Sequence, residues 1–568
     1  MLQISSGKFY DSDERFHNDK KGILYSNACF SGKYQVGYLT IEYVQPYGNI
    51  SSYVVSFDNQ IQKTPDNFQF VDVGGEEVIK QLKNILSFSL DCIFDEEKAV
   101  IERVCRRGKE ADNRNPLPSE FISNTLNYKK LIDDGELEKC NIFIKHLVNL
   151  PRKDYISILR CIVTYNSSIR LLSDDISLAY SMLVYCLESL SQTYDNYTTT
   201  WEDVKEDKRK ALEKILIDID SAKVEQIKEL LYKDENLKLA KRFNEFVIKN
   251  TSDTFFDGVQ GKRIINKSEY PIALKNAYYI RSKYAHMLKP LMKQLTMVDF
   301  AKDGDVFEFQ HDVFFTYNGL LRTTREVVSN FAKSLEEVGF EKIDWHGALP
   351  SMFSAEMAPY YWIWKSDNVK GHGASSRFEG LCECLVYYRA MIPSMDKIIC
   401  FYLHHLDEMK KDNKIAAFAV CSLYVGTIRN IKEETKTLFD SKFDKYKDLL
   451  KECNIYGLTL CSIQASVRFD FEWETEKAEQ VLESYNKKKY SKNNIKLPKE
   501  IETTMYLLLA YSYKEDGNIE KQEVWLNRAF DNSNNIAELQ SKIKESISSH
   551  DAFDITQIWD FIVETNKE

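Results

Sequence analysis

PIALKNAYYIRSKYAHMLKP (residues 271–290) decides the fold. Pro271 suits a first helical turn, where its missing N–H costs nothing, and Pro290 stops a helix near 286–289. Ala273, Ala277, Ile280, Tyr284, Met287 and Leu288 recur at helical spacing and are expected to face a core. Arg281 lies at the edge of that stripe. His286 lies well round the far side, in the last turn, where the negative end of the helix dipole favours the imidazolium. The two residues form an R-x4-H string. Five positions on a straight helix are about 140° apart, so the two side chains would meet on one substrate only through a distorted last turn or across a dimer.

Around this helix the charge reverses. The chain has 568 residues with 76 Lys+Arg and 86 Asp+Glu, a net charge of −10, which argues against a general nucleic-acid-coating protein. Residues 261–300 hold eight basic residues (Lys262, Arg263, Lys267, Lys275, Arg281, Lys283, Lys289 and Lys293) and two acids (Glu269 and Asp299), a local balance of +6. Cations interleaved with Tyr278, Tyr279 and Tyr284 suit single-stranded nucleic acid, with phosphates on the cations and bases on the rings.

Further out, three regions are expected. GYLTIEYV (37–44) and SSYVVSF (51–57), split by the turn-type QPYGN, predict a hairpin. A helical spacing follows at Val78, Ile79, Leu82, Ile85 and Leu86, so 1–110 is a β-rich or mixed head. CRRGKEADNRNPLPSE (105–120) reads as a linker. Residues 111–335 form a helical bundle. Its centre is SLAYSMLVYCLESLSQ (177–192), and HDVFFTYNGLLRTTREVVSNFAKSL (311–335) is a further helix. Residues 201–250, with 12 basic and 12 acidic residues at helical spacing, predict a pair of solvated amphipathic helices. Residues 336–568 form a C-terminal helical domain. There, IETTMYLLLAYSYKEDGNIEKQEVWLNRAF (501–530) resembles one tetratricopeptide-type helix pair through Ala510, Tyr513, Gly517, Leu526 and Ala529, and 465–485 fits the same register poorly. The fold class is therefore mainly α, with a small β-rich N-terminal region.

Much chemistry is excluded. No phosphate-cradling glycine loop, H-E-x-x-H or G-x-S-x-G is present. The 12 cysteines are scattered, and the lone close pair, Cys382 and Cys384, lacks the second pair a zinc site needs. No metal or cofactor is expected. The thiols read as small hydrophobes in a reducing cytoplasm, and no apolar run reaches membrane-spanning length.

The helix ALKNAYYIRSKYAHMLKP resembles the signature helix of the HEPN superfamily (higher eukaryotes and prokaryotes nucleotide-binding). It is most similar to the Apea-like branch of bacterial defence proteins, in which R-S-K-x-x-H-like strings recur. LAYSMLVYCLESLSQTYDNYTTTW, with Glu188 at its centre, is similar to the helix that precedes the motif. The resemblance covers roughly 125–335, and the β-rich head also matches that branch. It implies a metal-independent RNA endonuclease of antiphage (abortive infection) defence, acting as a dimer or higher oligomer. His286 would be the general base for a ribose 2′-OH, and Arg281 would hold the scissile phosphate. Lys283, Lys289 and Tyr284 would contact RNA. Ser282 stands where the family often has Asn, Asp or His. Glu188 either orients Arg281 or is a solvated or capping carboxylate. The alternative is a non-catalytic HEPN or helical-repeat scaffold that binds a protein partner through its tail.

Overall fold

The computed structural model describes residues 1–568 apart from 49, 64–73, 109–115, 196–199, 205, 218, 233–238, 259–262, 299–303, 351, 354, 367–372, 464–472, 493, 535, 550, 552 and 554–568. Residues 109–115 of the expected linker and 465–472 of the 465–485 stretch lie outside the described residues. The fold is mainly α, with a small N-terminal sheet region and a C-terminal helical region. The chain divides into two compact units, Met1–Ser354 and Ala355–Glu568.

In the first unit, β1 (Asp19–Ser26), β2 (Lys33–Val36), β3 (Leu39–Tyr47), β4 (Ile50–Asp58) and β5 (Phe94–Asp95) form an antiparallel sheet in the order β2-β3-β4-β1-β5. β3 and β4 are the expected hairpin, with Gly48 at positive φ in the turn. Tyr53, Val55 and Phe57 alternate inward, as a half-buried strand requires. Helix α1 (Gly75–Ser89) buries the whole predicted stripe, Val78, Ile79, Leu82, Ile85 and Leu86, together with Gln81, Asn84 and Phe88. It touches β1 on one side and α3 (Arg152–Leu171) on the other. Tyr155 on α3 donates to the Gln81 side chain at 2.9 Å, and the Asn166 amide donates to the Asn84 carbonyl at 2.8 Å. A helix buried this widely joins what it separates. The boundary expected near 110 accordingly does not divide the unit into separate cores, because sheet and bundle share one cluster running from Met1 to Leu349.

The bundle adds α2 (Asp134–Asn149), α4 (Ile176–Tyr194), α5 (Glu206–Ile215), α6 (Ser221–Tyr232), α7 (Leu239–Lys249), α8 (Tyr270–Met287) and α9 (Tyr317–Ser334). The segment 201–250 forms three helices, not two. α5 and α6 bury no side chains among their described residues, whereas α7 docks Phe243, Phe246 and Val247. Residues 311–335 are not one helix. Val306–Phe309 (β6) and Asp312–Phe315 (β7) pair as a hairpin, and α9 begins only after Thr316, whose hydroxyl caps the Gly319 N–H at 3.0 Å. Val313, Phe314 and Phe315 favour a strand, and the cap stops the helix from extending back into them.

The second unit has its own core. α11 (Lys411–Thr427) is buried continuously from Ala416 to Tyr424 and packs on α10 (Ala374–Tyr387). α12 (Thr475–Lys488), α13 (Lys499–Glu515) and α14 (Ile519–Asn532) follow, and α13 and α14 form a hairpin turning at Gly517 (φ 73°). Ala510, Tyr513, Leu526 and Ala529 are all buried in it, beside the fully buried Trp525. Glu479 on α12 holds this hairpin by accepting from Tyr513, Lys521 and Trp525. Among the described residues no helix is long and apolar enough to cross a membrane.

Candidate functional site at the end of the motif helix

α8 runs from Tyr270 to Met287 with Pro271 in its first turn. It ends where Leu288 enters the left-handed region (φ 51°, ψ 29°), and the Leu288 N–H is satisfied by the Tyr284 carbonyl at 2.9 Å. A left-handed Leu costs roughly 1–2 kcal/mol, and Pro290 bars any continuation. The buried face is Tyr270, Ala273, Leu274, Ala277 and Arg281. Two expectations for this stripe are corrected. Met287 and Leu288 are 70% and 77% exposed, because the helix stops before they can reach the core. Arg281 is not at the edge but inside, at 7% exposure.

Burial of a guanidinium demands partners, and α4 supplies them. Glu188 forms an ion pair with the Arg281 Nη2 and also accepts from the Tyr278 hydroxyl at 3.1 Å. The Arg281 carbon centre lies 4.5 Å from the Tyr278 ring and 5.2 Å from the Tyr185 ring, within cation–π range of both. Burial pushes the Arg281 guanidinium down from its ordinary value, and burial pushes the Tyr278 phenol up. Of the two readings left open for Glu188, the geometry is that of a carboxylate fixing Arg281.

The other candidates sit outside this buried group. His286 and Lys289 are exposed, and Ser282 is half-buried. The Lys283 Nζ lies 4.1 Å from the ring of Tyr279, itself 56% exposed. Tyr284 is turned back onto the bundle. Its hydroxyl donates to Asp175, the N-cap of α4, at 2.9 Å, and that hydrogen bond pushes its phenol up. Just beyond the helix, the Leu291 N–H donates to Ser177 Oγ at 3.0 Å. Tyr279 is therefore the most accessible stacking surface of the three tyrosines.

The +6 window also contracts. Arg263 pairs with Glu308, Lys267 with Asp253 at 2.6 Å, and Arg281 with Glu188. Lys275, Lys283, Lys289 and Lys293 have no carboxylate partner among the described residues, while Lys262 lies outside them. Three of these lysines are exposed and Lys283 is half-buried, and cations without a carboxylate partner attract phosphate.

The structure brings Arg281, Glu188, Tyr278 and Tyr185 together. It does not bring His286 to Arg281 within one chain. Tyr185 and Asp175 were missed from sequence, although Asp175 precedes an apolar helix as an N-cap should and Tyr185 stands three before Glu188 on one face. Cys382 and Cys384 are both buried free thiols. Among the described residues no cluster of His, Cys, Asp and Glu has the makings of a metal site. Comparison with protein-family models, with curated proteins and with solved structures gives no match.

Proposed function

We propose that the chain is a metal-independent RNA endonuclease of the HEPN type, serving bacterial antiphage defence. The observation that carries the reading is the exposed last turn of α8, which presents His286 between the unpaired Lys283 and Lys289 on a helix anchored by the Arg281–Glu188 pair. The lysines draw the phosphodiester in. His286 takes the proton of a ribose 2′-OH, and that oxygen attacks the adjacent phosphorus. The P–O5′ bond breaks, leaving a 2′,3′-cyclic phosphate, and the imidazolium returns the proton to the departing 5′-oxygen. Arg281 and His286 lie too far round the helix to share one phosphate, so the acting form is a dimer in which two last turns pool their groups. Tyr279, Met287 and Leu288 give that end of the helix an exposed apolar surface for a second copy.

The test is incubation of the purified protein with total RNA in EDTA. His286→Ala is expected to lower the rate by about 10²–10⁴-fold, the usual worth of a general base. Cleavage that persists in this variant, or that needs a divalent metal, overturns the assignment.

One observation favours a second reading. The Arg281 guanidinium is already engaged by Glu188 and two tyrosine rings, as in a purely structural arginine. On that reading the bundle is a binding module, and the α13–α14 region offers the surface for a protein partner. Failure to cleave any RNA, with a stable complex formed through the second unit, would favour it.

A further inference from the structure

A cavity of about 400 Å³ opens in the first unit where α2, α9 and the Asp253–Phe256 turn converge. It lies near the start of α8, since Phe255 packs on Tyr270 at 5.7 Å, and so away from the His286 turn. Four basic side chains line it: Lys139, Arg322, Arg325 and Lys333. A neighbouring cavity of about 420 Å³ shares Lys139 and Lys333 and adds Lys145.

These cations are not equally balanced. Arg322 is neutralised by Asp305, donates to the Phe255 carbonyl at 2.9 Å and lies 3.6 Å over the Phe255 ring. Arg325 is fixed in direction by donating to the Phe88 and Ser89 carbonyls at 3.0 and 3.1 Å. Its one carboxylate, Asp91 at 3.5 Å, also serves Lys130 at 3.2 Å. Lys139, Lys145 and Lys333 have no carboxylate partner among the described residues. Two acids oppose them. Glu326 accepts from Ser252 and Asn330, and Glu337 is held by His146 and Asn149. Six cations, counting Lys130, face four carboxylates, a surplus of two in a chain of net charge −10. Thr254, Ser329 and Asn330 add neutral donors at the same wall.

A cavity of this size suits a small molecule, a range of about 300–1,000 Å³. Surplus charge spread over several flexible lysines beside one directed arginine suits a ligand with several charges on adjacent groups, not a single carboxylate. We infer that this cavity binds a small molecule bearing a di- or triphosphate group.

Titration calorimetry on the full chain at fixed ionic strength tests this, with pyrophosphate, tripolyphosphate, ATP and adenosine as probes. Saturable binding of ATP and tripolyphosphate, with none of adenosine, is expected. If ATP binds at least ten-fold tighter than tripolyphosphate, the ligand is a nucleotide; equal affinities mean that the polyphosphate alone is read. The exposed pair Lys139→Ala/Lys333→Ala folds normally and weakens binding by ten-fold or more. Lys283→Ala/Lys289→Ala and His286→Ala leave it unchanged, which separates this site from the RNA-cleaving reading. Absence of saturable binding, equal affinity in the Lys139/Lys333 variant, or binding of an RNA oligomer alone overturns the inference.

Discussion

Replacing Glu188 by Ala removes the carboxylate that faces Arg281 while leaving the guanidinium where it is. The Arg281 and Glu188 side chains are 8% and 12% exposed, so water can do little to compensate. Stranding one partner of a buried ion pair costs about 3–5 kcal/mol. The Tyr278 hydroxyl loses its acceptor too, although at the rim of the group water can replace some of that bond. Spread over the unit Met1–Ser354, an unfolding entropy of about 2.1 cal/mol/K per residue turns this into a drop of roughly 4–7 °C in the midpoint. The assay is thermal and urea unfolding of wild type, Glu188→Ala, Arg281→Met and Glu188→Met/Arg281→Met. The double variant should recover much of the loss, because an apolar pair of similar volume replaces the charges without an orphan. A Glu188→Ala protein within about 1 kcal/mol of wild type, the range of a surface pair, would refute the argument, as would additive losses in the cycle.

Tyr284→Phe deletes the hydrogen bond to Asp175 and should cost about 1 kcal/mol in urea unfolding while loosening the turn that carries His286. Gly319→Ala drives a methyl group into the Asp305 carbonyl oxygen, well inside van der Waals contact, so a loss of at least about 1–3 kcal/mol is expected, read as reduced thermal stability or poor expression. Trp525→Ala opens a void in the second unit and should cost about 3–5 kcal/mol there, with the unfolding of the first unit unaffected. Glu383 is pushed up by burial and by Glu356, against the pull of Lys496. A carboxyl raised in the folded state opposes folding in full above its folded value; the penalty shrinks as pH falls below that value and is gone below the unfolded one. Glu383→Gln should therefore raise the midpoint of the second unit at pH 7 and make no difference near pH 3.

The motif helix was legible because its two prolines mark its ends and its small residues, Ala273 and Ala277, sit where helices pack. The β3–β4 hairpin was legible from alternation around a turn. What failed did so for identifiable reasons. Met287 and Leu288 have the spacing of a core stripe, but spacing carries no information about where the chain leaves the helix. Val313–Phe315 are apolar enough to continue either a strand or a helix, and only the Thr316 cap decides. The Arg281–Glu188 contact joins positions 93 apart in the chain, and composition alone cannot express it; a family resemblance could only suggest it. The cationic cavity draws its basic residues from α2 and α9, nearly two hundred residues apart, each looking like an ordinary solvated lysine or arginine in its own segment.

The tethers on either side of His286 carry a further meaning. Tyr284 is fastened to Asp175 before it and Leu291 to Ser177 after it, so both ends of an eight-residue arc are pinned to the start of α4. Such an arc has surrendered most of its conformational freedom during folding, so any ligand of this turn would have little left to order. It also makes position 286 answerable to α4: a nudge at the first turn of that helix moves the imidazole with it, so the reach of this histidine is governed from a helix to which it does not belong.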